Sequence, residues 1–241
     1  MSTMSPANDS GALDLIAPRS EGENARLAEA ACSAVLGRVL PILRHDLAGS
    51  WQPVRILLIL LERRVQSTHP DLAAITKNVM SLSALTKQAA ADCMSALSWA
   101  DSTDDLQVSL RAGVDEAARM LALEMSENAL VLINGVTDDL ATAPQSTFRT
   151  VVMGALLAFC DQRVEGSTLD VTFHAAATDS HHTGRLQMQM LPGDAGKPPV
   201  SPGRMRKPRL IGWADVQAMA DSCGVEMARG DGWLTLDLAK R

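Results

Sequence analysis

"LPILRHDLAGSWQPVRILLILLERR", residues 40–64, spaces its leucines as a packed helix does, yet it sets a histidine and an adjoining acid among small and polar residues. Ala28, Cys32, Leu36, Leu40, Leu43, Leu47, Ser50, Val54, Leu58, Leu61 and Val65 recur at intervals of three or four, which predicts one long helix over 23–65 with a continuous buried seam. His45 lies two positions from both Leu43 and Leu47, and two steps of about 100° turn it to the side opposite that seam. An outward imidazole follows. Gly49, Gln52 and Ile56 continue the same outward line, and Arg38 lies two turns before the histidine. A glycine inside a helix costs roughly 0.5–1 kcal/mol relative to alanine, so Gly49 suggests that something large approaches the backbone there. Pro41 and Pro53 each remove a backbone donor and crowd the preceding turn, which predicts a kink near His45.

Working outward, "QSTHPD" at 66–71 supplies a turn with Thr68 or Asp71 as a cap, and Leu72, Ile75, Val79, Leu82, Leu85, Ala89 and Cys93 restart the helical period to about residue 100. The two helices form a hairpin. Val35, Val39, Ile42, Ile56 and Ile59 add a second apolar stripe that a lone hairpin cannot bury, so pairing with a second copy into a four-helix bundle is the simplest solution. Residues 1–22 read as a flexible tail, 23–102 as the hairpin, and 103–241 as a second domain beginning after "DSTDD". That domain alternates short strands (106–110, 129–133, 168–175, 184–191, 224–228, 233–238) with helices (114–127, 145–163, 211–223), and a Pro/Gly loop occupies 192–208. The class is α+β, with one mixed sheet under a helical layer.

The totals narrow the function. Hydrophobic residues make up 46% of the 241, enough for a packed core, and 22 basic against 28 acidic residues leave a net charge of -6. An acidic chain disfavours non-specific nucleic-acid binding, and the one basic cluster, "RMRKPR" at 204–209, reads as a solvated loop. Cys32, Cys93, Cys160 and Cys223 are far apart in apolar surroundings and read as buried free thiols. The longest apolar run, "ILLILL", is far short of a membrane span, and no secretory leader is evident, so the expected location is the cytoplasm, away from membranes. His181 and His182 fall in a polar loop without identifiable further ligands, His69 in the interhelical turn and His174 on a strand, so no metal site is expected.

The outward His-Asp pair, the hairpin and the α+β domain in this order resemble the cytoplasmic part of a histidine kinase: a dimerisation and phosphotransfer hairpin followed by a Bergerat-type ATP-binding sandwich. "RHDLAGSWQP" resembles the phosphoacceptor box, with Gly49 where the family has Thr or Asn and the proline late, at Pro53. "IGWADVQAMADSCGVEMARGDGWLTLDLAKR" resembles the end of the ATP domain. The nucleotide motifs depart from the pattern. Gly154 and Ala158 stand in "MGALLAFCD" where the family carries two asparagines that hold Mg²⁺ and phosphates, and bulky Phe159 follows; no amide oxygen is left for a hard cation. "LPGDAGKP" keeps only Asp194 and Gly196 of the adenine turn, and "PRLIGW" keeps only Gly212 of the phosphate loop.

A retained histidine beside a degenerate nucleotide site is similar to the dimeric histidine phosphotransferases of the ChpT type. The resemblance implies that His45 accepts a phosphoryl group from a receiver-domain aspartate and passes it to another response regulator without ATP. It also implies that the receiver brings Mg²⁺, so that no cofactor belongs to this chain. Asp46 would orient the imidazole, Arg44 and Arg38 would offset charge, and Gly49, Gln52 and Ile56 would meet the receiver. Two alternatives stay open: a non-catalytic pseudokinase scaffold that binds a receiver or a kinase, and an ATP-dependent kinase with an atypical nucleotide site.

Overall fold

The first helix, α1 (Glu21–Val65), begins at a capping box in which Ser20 Oγ accepts from the Glu23 amide and the Glu23 carboxylate accepts from the Ser20 amide. It runs unbroken through Pro41 and Pro53. The chain is described from a computed structural model over residues 20–99, 106–128, 130–137, 141–162, 169–175, 185–192, 209–230 and 232–238. Asp71, not Thr68, caps α2 (Leu72–Leu97), its carboxylate accepting from the Ala74 amide at 3.1 Å. The two helices pack as the expected hairpin.

The second domain departs from the expected single sheet. β1 (Gln107–Ser109) pairs antiparallel with β3 (Thr142–Pro144) as a separate two-stranded ribbon. The main sheet holds β2 (Leu130–Asn134), β4 (Leu169–Ala175), β5 (Arg185–Pro192), β7 (Trp233–Asp237) and β6 (Glu226–Gly230), in that spatial order. β2 runs parallel to β4 and every other pairing is antiparallel. Two predicted helices are interrupted. Residues 114–127 resolve into α3 (Leu110–Met120) and α4 (Ala122–Glu127), separated at Leu121, and 145–163 into a short α5 (Gln145–Thr147), a π-helical turn η1 (Phe148–Val152) and α6 (Met153–Asp161). The last helix, α7 (Trp213–Ser222), ends in a turn with Gly224 at φ 68°, a left-handed conformation that suits glycine, so β6 starts two residues later than the sequence pattern indicates.

One core joins the two parts. Phe148, Met153, Leu156, Leu157, Leu186, Met188, Met219, Leu234 and Leu236 are buried between sheet and helices, and Ala31, Val35, Val39 and Leu43 of α1 are continuous with them. Val35 and Val39 of the second stripe, with Leu43 of the predicted seam, therefore meet the chain's own second domain, whereas Ile56 and Ile59 of that stripe stay exposed. In the first half of the helix the predicted seam is corrected: Leu40 is 51% exposed, and Cys32 and Leu36 are half-buried.

Two arginines secure this docking. Arg38, expected on the outward line, is buried: its Nη2 donates to both oxygens of Asp161 at 2.7 and 2.9 Å and to the Arg209 carbonyl at 3.2 Å. Asp161 also accepts from the Ile211 amide at 2.7 Å. Arg149, on η1, pairs with Glu116 of α3 at 2.7 Å, donates to the Ser98 carbonyl at 2.9 Å where α2 ends, and stacks 4.3 Å from the Trp99 ring centre. Buried Arg–carboxylate geometry of this kind fixes orientation more than it adds net stability.

Candidate functional site

His45 stands outward, as the two-residue offset from Leu43 predicts. Its side chain is 88% exposed, whereas Leu43 is buried and Leu47 half-buried. Nδ1 lies 3.5 Å from Asp46 Oδ1, so the adjacent acid does reach the ring despite the divergence of consecutive helical residues. The other oxygen, Oδ2, lies 3.5 Å from Nη1 of Arg119, near the end of α3. These three groups edge an open cleft of about 620 Å³ bounded by α1, α2 and α3.

The rest of the cleft wall is mixed: Leu43, Leu47, Leu85 and Met120 line it beside a cluster of polar groups that are paired with one another. Ser50 Oγ lies 2.5 Å from Asp92 Oδ2 and 3.0 Å from the Asp46 carbonyl; its single proton goes to the charged partner. Gln88 donates to Asp92 Oδ1 at 2.9 Å from one turn earlier on α2. These bonds, that from Ser50 first and that from Gln88 second, hold the Asp92 carboxyl below its ordinary value. In that case the unfolded chain binds more protons in the acid range. The contribution of Asp92 is complete above the ordinary carboxylate pKa of about 4 and is lost as pH falls through the lower folded value. Ser50→Ala is expected to move the Asp92 titration midpoint upward in a carboxyl NMR titration and to shallow the acid limb of stability. An unchanged midpoint would remove the hydroxyl from this account.

Gly49 and Gln52 are exposed, Ile56 is 52% exposed and Arg44 is exposed. Gly49 and His45 line the cleft together with Pro53. Among the described residues nothing lies within 4 Å of where a Gly49 Cβ would stand, so none of them makes the approach expected at this glycine. Sequence reasoning missed Arg119, Gln88, Asp92 and Ser50 as wall residues. The Gln88–Asp92 spacing of four was a readable helical pair, but nothing local ties Arg119 to a histidine so far away in sequence.

The positions matched to a nucleotide site lie elsewhere, on α6 and the start of α7. Gly154 and Ala158 are buried among apolar side chains, and a Cβ on Gly154 would run into Met219 Cε and come within 3.8 Å of Val35. Phe159 is 5% exposed, with its ring 4.7 Å from that of Trp213 in an edge-on contact, and Arg229 covers the same indole at 4.9 Å. Gly212 caps α7, its amide donating to Asp215 Oδ2 at 2.9 Å, and Asp215 is itself paired with Arg209 at 2.7 Å. Asp194 and Gly196 lie outside the described residues, as do His181, His182 and residues 204–208 of the basic cluster. The residues at Gly154, Ala158 and Phe159 do not fit Mg²⁺ or a triphosphate: they offer packed hydrocarbon and no oxygen ligand. Gly154→Asn is accordingly expected to destabilise by about 1–3 kcal/mol through overpacking and to confer no binding of a fluorescent ATP analogue. Tight analogue binding by the variant would refute this account.

All four cysteines are free thiols, but only Cys160 is buried; Cys32, Cys93 and Cys223 are half-buried, a correction to the expectation for all four. Burial, followed by the neighbouring Cys223, pushes the Cys32 thiol up.

No protein-family profile and no curated protein sequence matches the chain. Among solved structures it is similar to the Acinetobacter baumannii histidine kinase AdeS, 13% identical with a TM-score of 0.39 over 78% of this chain and 96% of that one. It is also similar to a histidine kinase from Burkholderia phymatum, 15% identical with a TM-score of 0.38 over 92% and 100% of the two chains. A third is the blue-light activated histidine kinase of Erythrobacter litoralis, 13% identical with a TM-score of 0.40 over 76% and 62%. Among the described residues no helix is long and apolar enough to cross a membrane.

Proposed function

We propose that this chain is a phosphorelay histidine phosphotransferase of the ChpT type, working in the cytoplasm. His45 takes a phosphoryl group from a receiver-domain aspartate and returns it to the aspartate of another response regulator, without ATP. The observation that carries the reading is the imidazole standing almost fully exposed at the edge of a cleft of mixed apolar and polar lining, beside a carboxylate at 3.5 Å. Phosphoryl transfer asks chiefly for positioning and charge neutralisation, which an exposed imidazole on a rigid helix can share with a partner that supplies the metal. The open space at Gly49 and the exposed Gln52 and Ile56 suit a transient interface with a receiver domain. The hydrocarbon packed around Gly154, Ala158 and Phe159 speaks against an ATP-dependent kinase.

The hairpin is read as the dimer interface. Ile56, Leu58, Ile59, Leu72, Val79 and Met80 are large apolar side chains left open on its two helices, and Ala89 is the one fully buried residue of α2. A second copy laid along this face would complete a four-helix bundle.

The test is direct. Receiver domains from the same organism, phosphorylated with radiolabelled acetyl phosphate, are mixed with the protein, and acid-labile, alkali-stable label is expected on it. No transfer from any of them would overturn the reading.

A further inference from the structure

A domain whose matched nucleotide positions are filled with hydrocarbon is nevertheless held firmly against the hairpin, and its placement brings one charged group to the phosphoacceptor. We propose that Arg119, supplied by the second domain, is a positioning residue for His45: it holds Asp46 so that Asp46 fixes the ring. This inference rests on the proposed phosphotransfer.

The geometry is a chain of three groups. Arg119 Nη1 lies at 3.5 Å from Asp46 Oδ2, and Asp46 Oδ1 at 3.5 Å from His45 Nδ1, so the two oxygens are divided between the two partners. A carboxylate one residue from the histidine on a helix has its own rotamers to choose from, and Arg119 selects the one that faces the ring. Asp46 then favours the tautomer with its proton on Nδ1, leaving the Nε2 lone pair free toward the cleft. That lone pair attacks the phosphorus of the aspartyl phosphate; the N–P bond forms as the P–O bond breaks, and the donor carboxylate leaves with the electron pair. The proton stays on Nδ1, so the ring becomes an imidazolium, and Asp46 faces the new positive charge. Arg119 meanwhile offsets the negative charge that Asp46 would otherwise present to the arriving phosphoryl group.

The anchoring of the domain gives the arrangement its force. Arg119 is 58% exposed, and an exposed pair on mobile elements is worth little. Here α3 is tied through Glu116 to Arg149 and so to the end of α2, and the domain is tied through Asp161 to Arg38 on the very helix that carries His45. The guanidinium is delivered by a fixed frame.

Four proteins decide the matter: wild type, Arg119→Ala, Asp46→Asn and the double variant, with Arg119→Lys as the conservative control. Transfer from a receiver labelled with acetyl phosphate is expected to slow about tenfold in R119A and to recover in part in R119K, whereas R119A is expected to add nothing in the D46N background. In the free protein, imidazole nitrogen NMR shifts of His45 are expected to show the Nδ1–H tautomer diminished in R119A and D46N alike. Equal slowing by R119A with and without Asp46 overturns the proposal, since the arginine then acts on the partner or the fold. Unchanged transfer in R119A overturns it as well, while leaving the phosphotransfer reading standing. If the wild type takes no label, that reading has failed, and an unchanged tautomer in R119A would sink the positioning role independently.

Discussion

His45→Gln is expected to lose all acid-labile label while folding as the wild type does. The side chain is 88% exposed and its contact with Asp46, at 3.5 Å, is on the surface, so the substitution should alter stability by no more than about 0.5 kcal/mol. Glutamine is also a good helix former. What it lacks is the nucleophilic nitrogen. Asp46 cannot substitute for it undetected, because an acyl phosphate on Asp46 would be labile in alkali, whereas a phosphoramidate on the imidazole is labile in acid. Partitioning the label by its chemical stability in H45Q and wild type therefore reads out the acceptor atom. The same variant separates the scaffold alternative: a non-catalytic binding partner would keep its receiver affinity and its cellular effect in H45Q, and that outcome together with no label on the wild type would favour it.

Arg38→Ala is expected to destabilise the protein by about 3–5 kcal/mol, the range for removing one member of a buried ion pair. Most of that loss comes from Asp161, left buried with the Ile211 amide as its one described hydrogen-bond partner. The arginine itself is imperfectly satisfied, since Nε and Nη1 find no partner among the described residues. Replacing both members is therefore a different experiment. In Arg38→Met with Asp161→Asn the methionine fills the apolar volume and the amide oxygen still accepts from Ile211, so stability is expected to return to within about 2 kcal/mol of wild type. Urea unfolding of the two variants checks both statements. A mild Arg38→Ala, or a double variant no better than the single, would mean that the pair is not the clamp described here.

How much of this was written in the sequence depends on the range of the interaction. The outward face of His45 was legible because it follows from helical geometry over five residues, and the hairpin from a period sustained through two helices. Period alone could not say which residues of the two apolar stripes on α1 meet the chain's own second domain and which stay open. Arg38 was misplaced for the same reason, since a charged residue between leucines reads as solvated until a buried carboxylate 123 positions away is known. Asp161, closing an otherwise apolar helix, was the available hint. β3 was missed because three residues ending in proline carry almost no strand pattern, and the breaks at Leu121 and in η1 because an apolar run looks alike in α and π winding. Arg119 was invisible because only tertiary docking brings α3 beside Asp46.

The continuity of α1 with the second domain bears on how the molecule can be dissected. Cutting the chain after residue 99 would strip the cover from Ala31, Val35, Val39 and Leu43 and leave Arg38 without its counter-ion. Such a truncation would present a greasy, charged scar along the upper half of the helix, prone to self-association. The excised hairpin is thus expected to fold poorly, and its inactivity would report the wound and not the chemistry of His45.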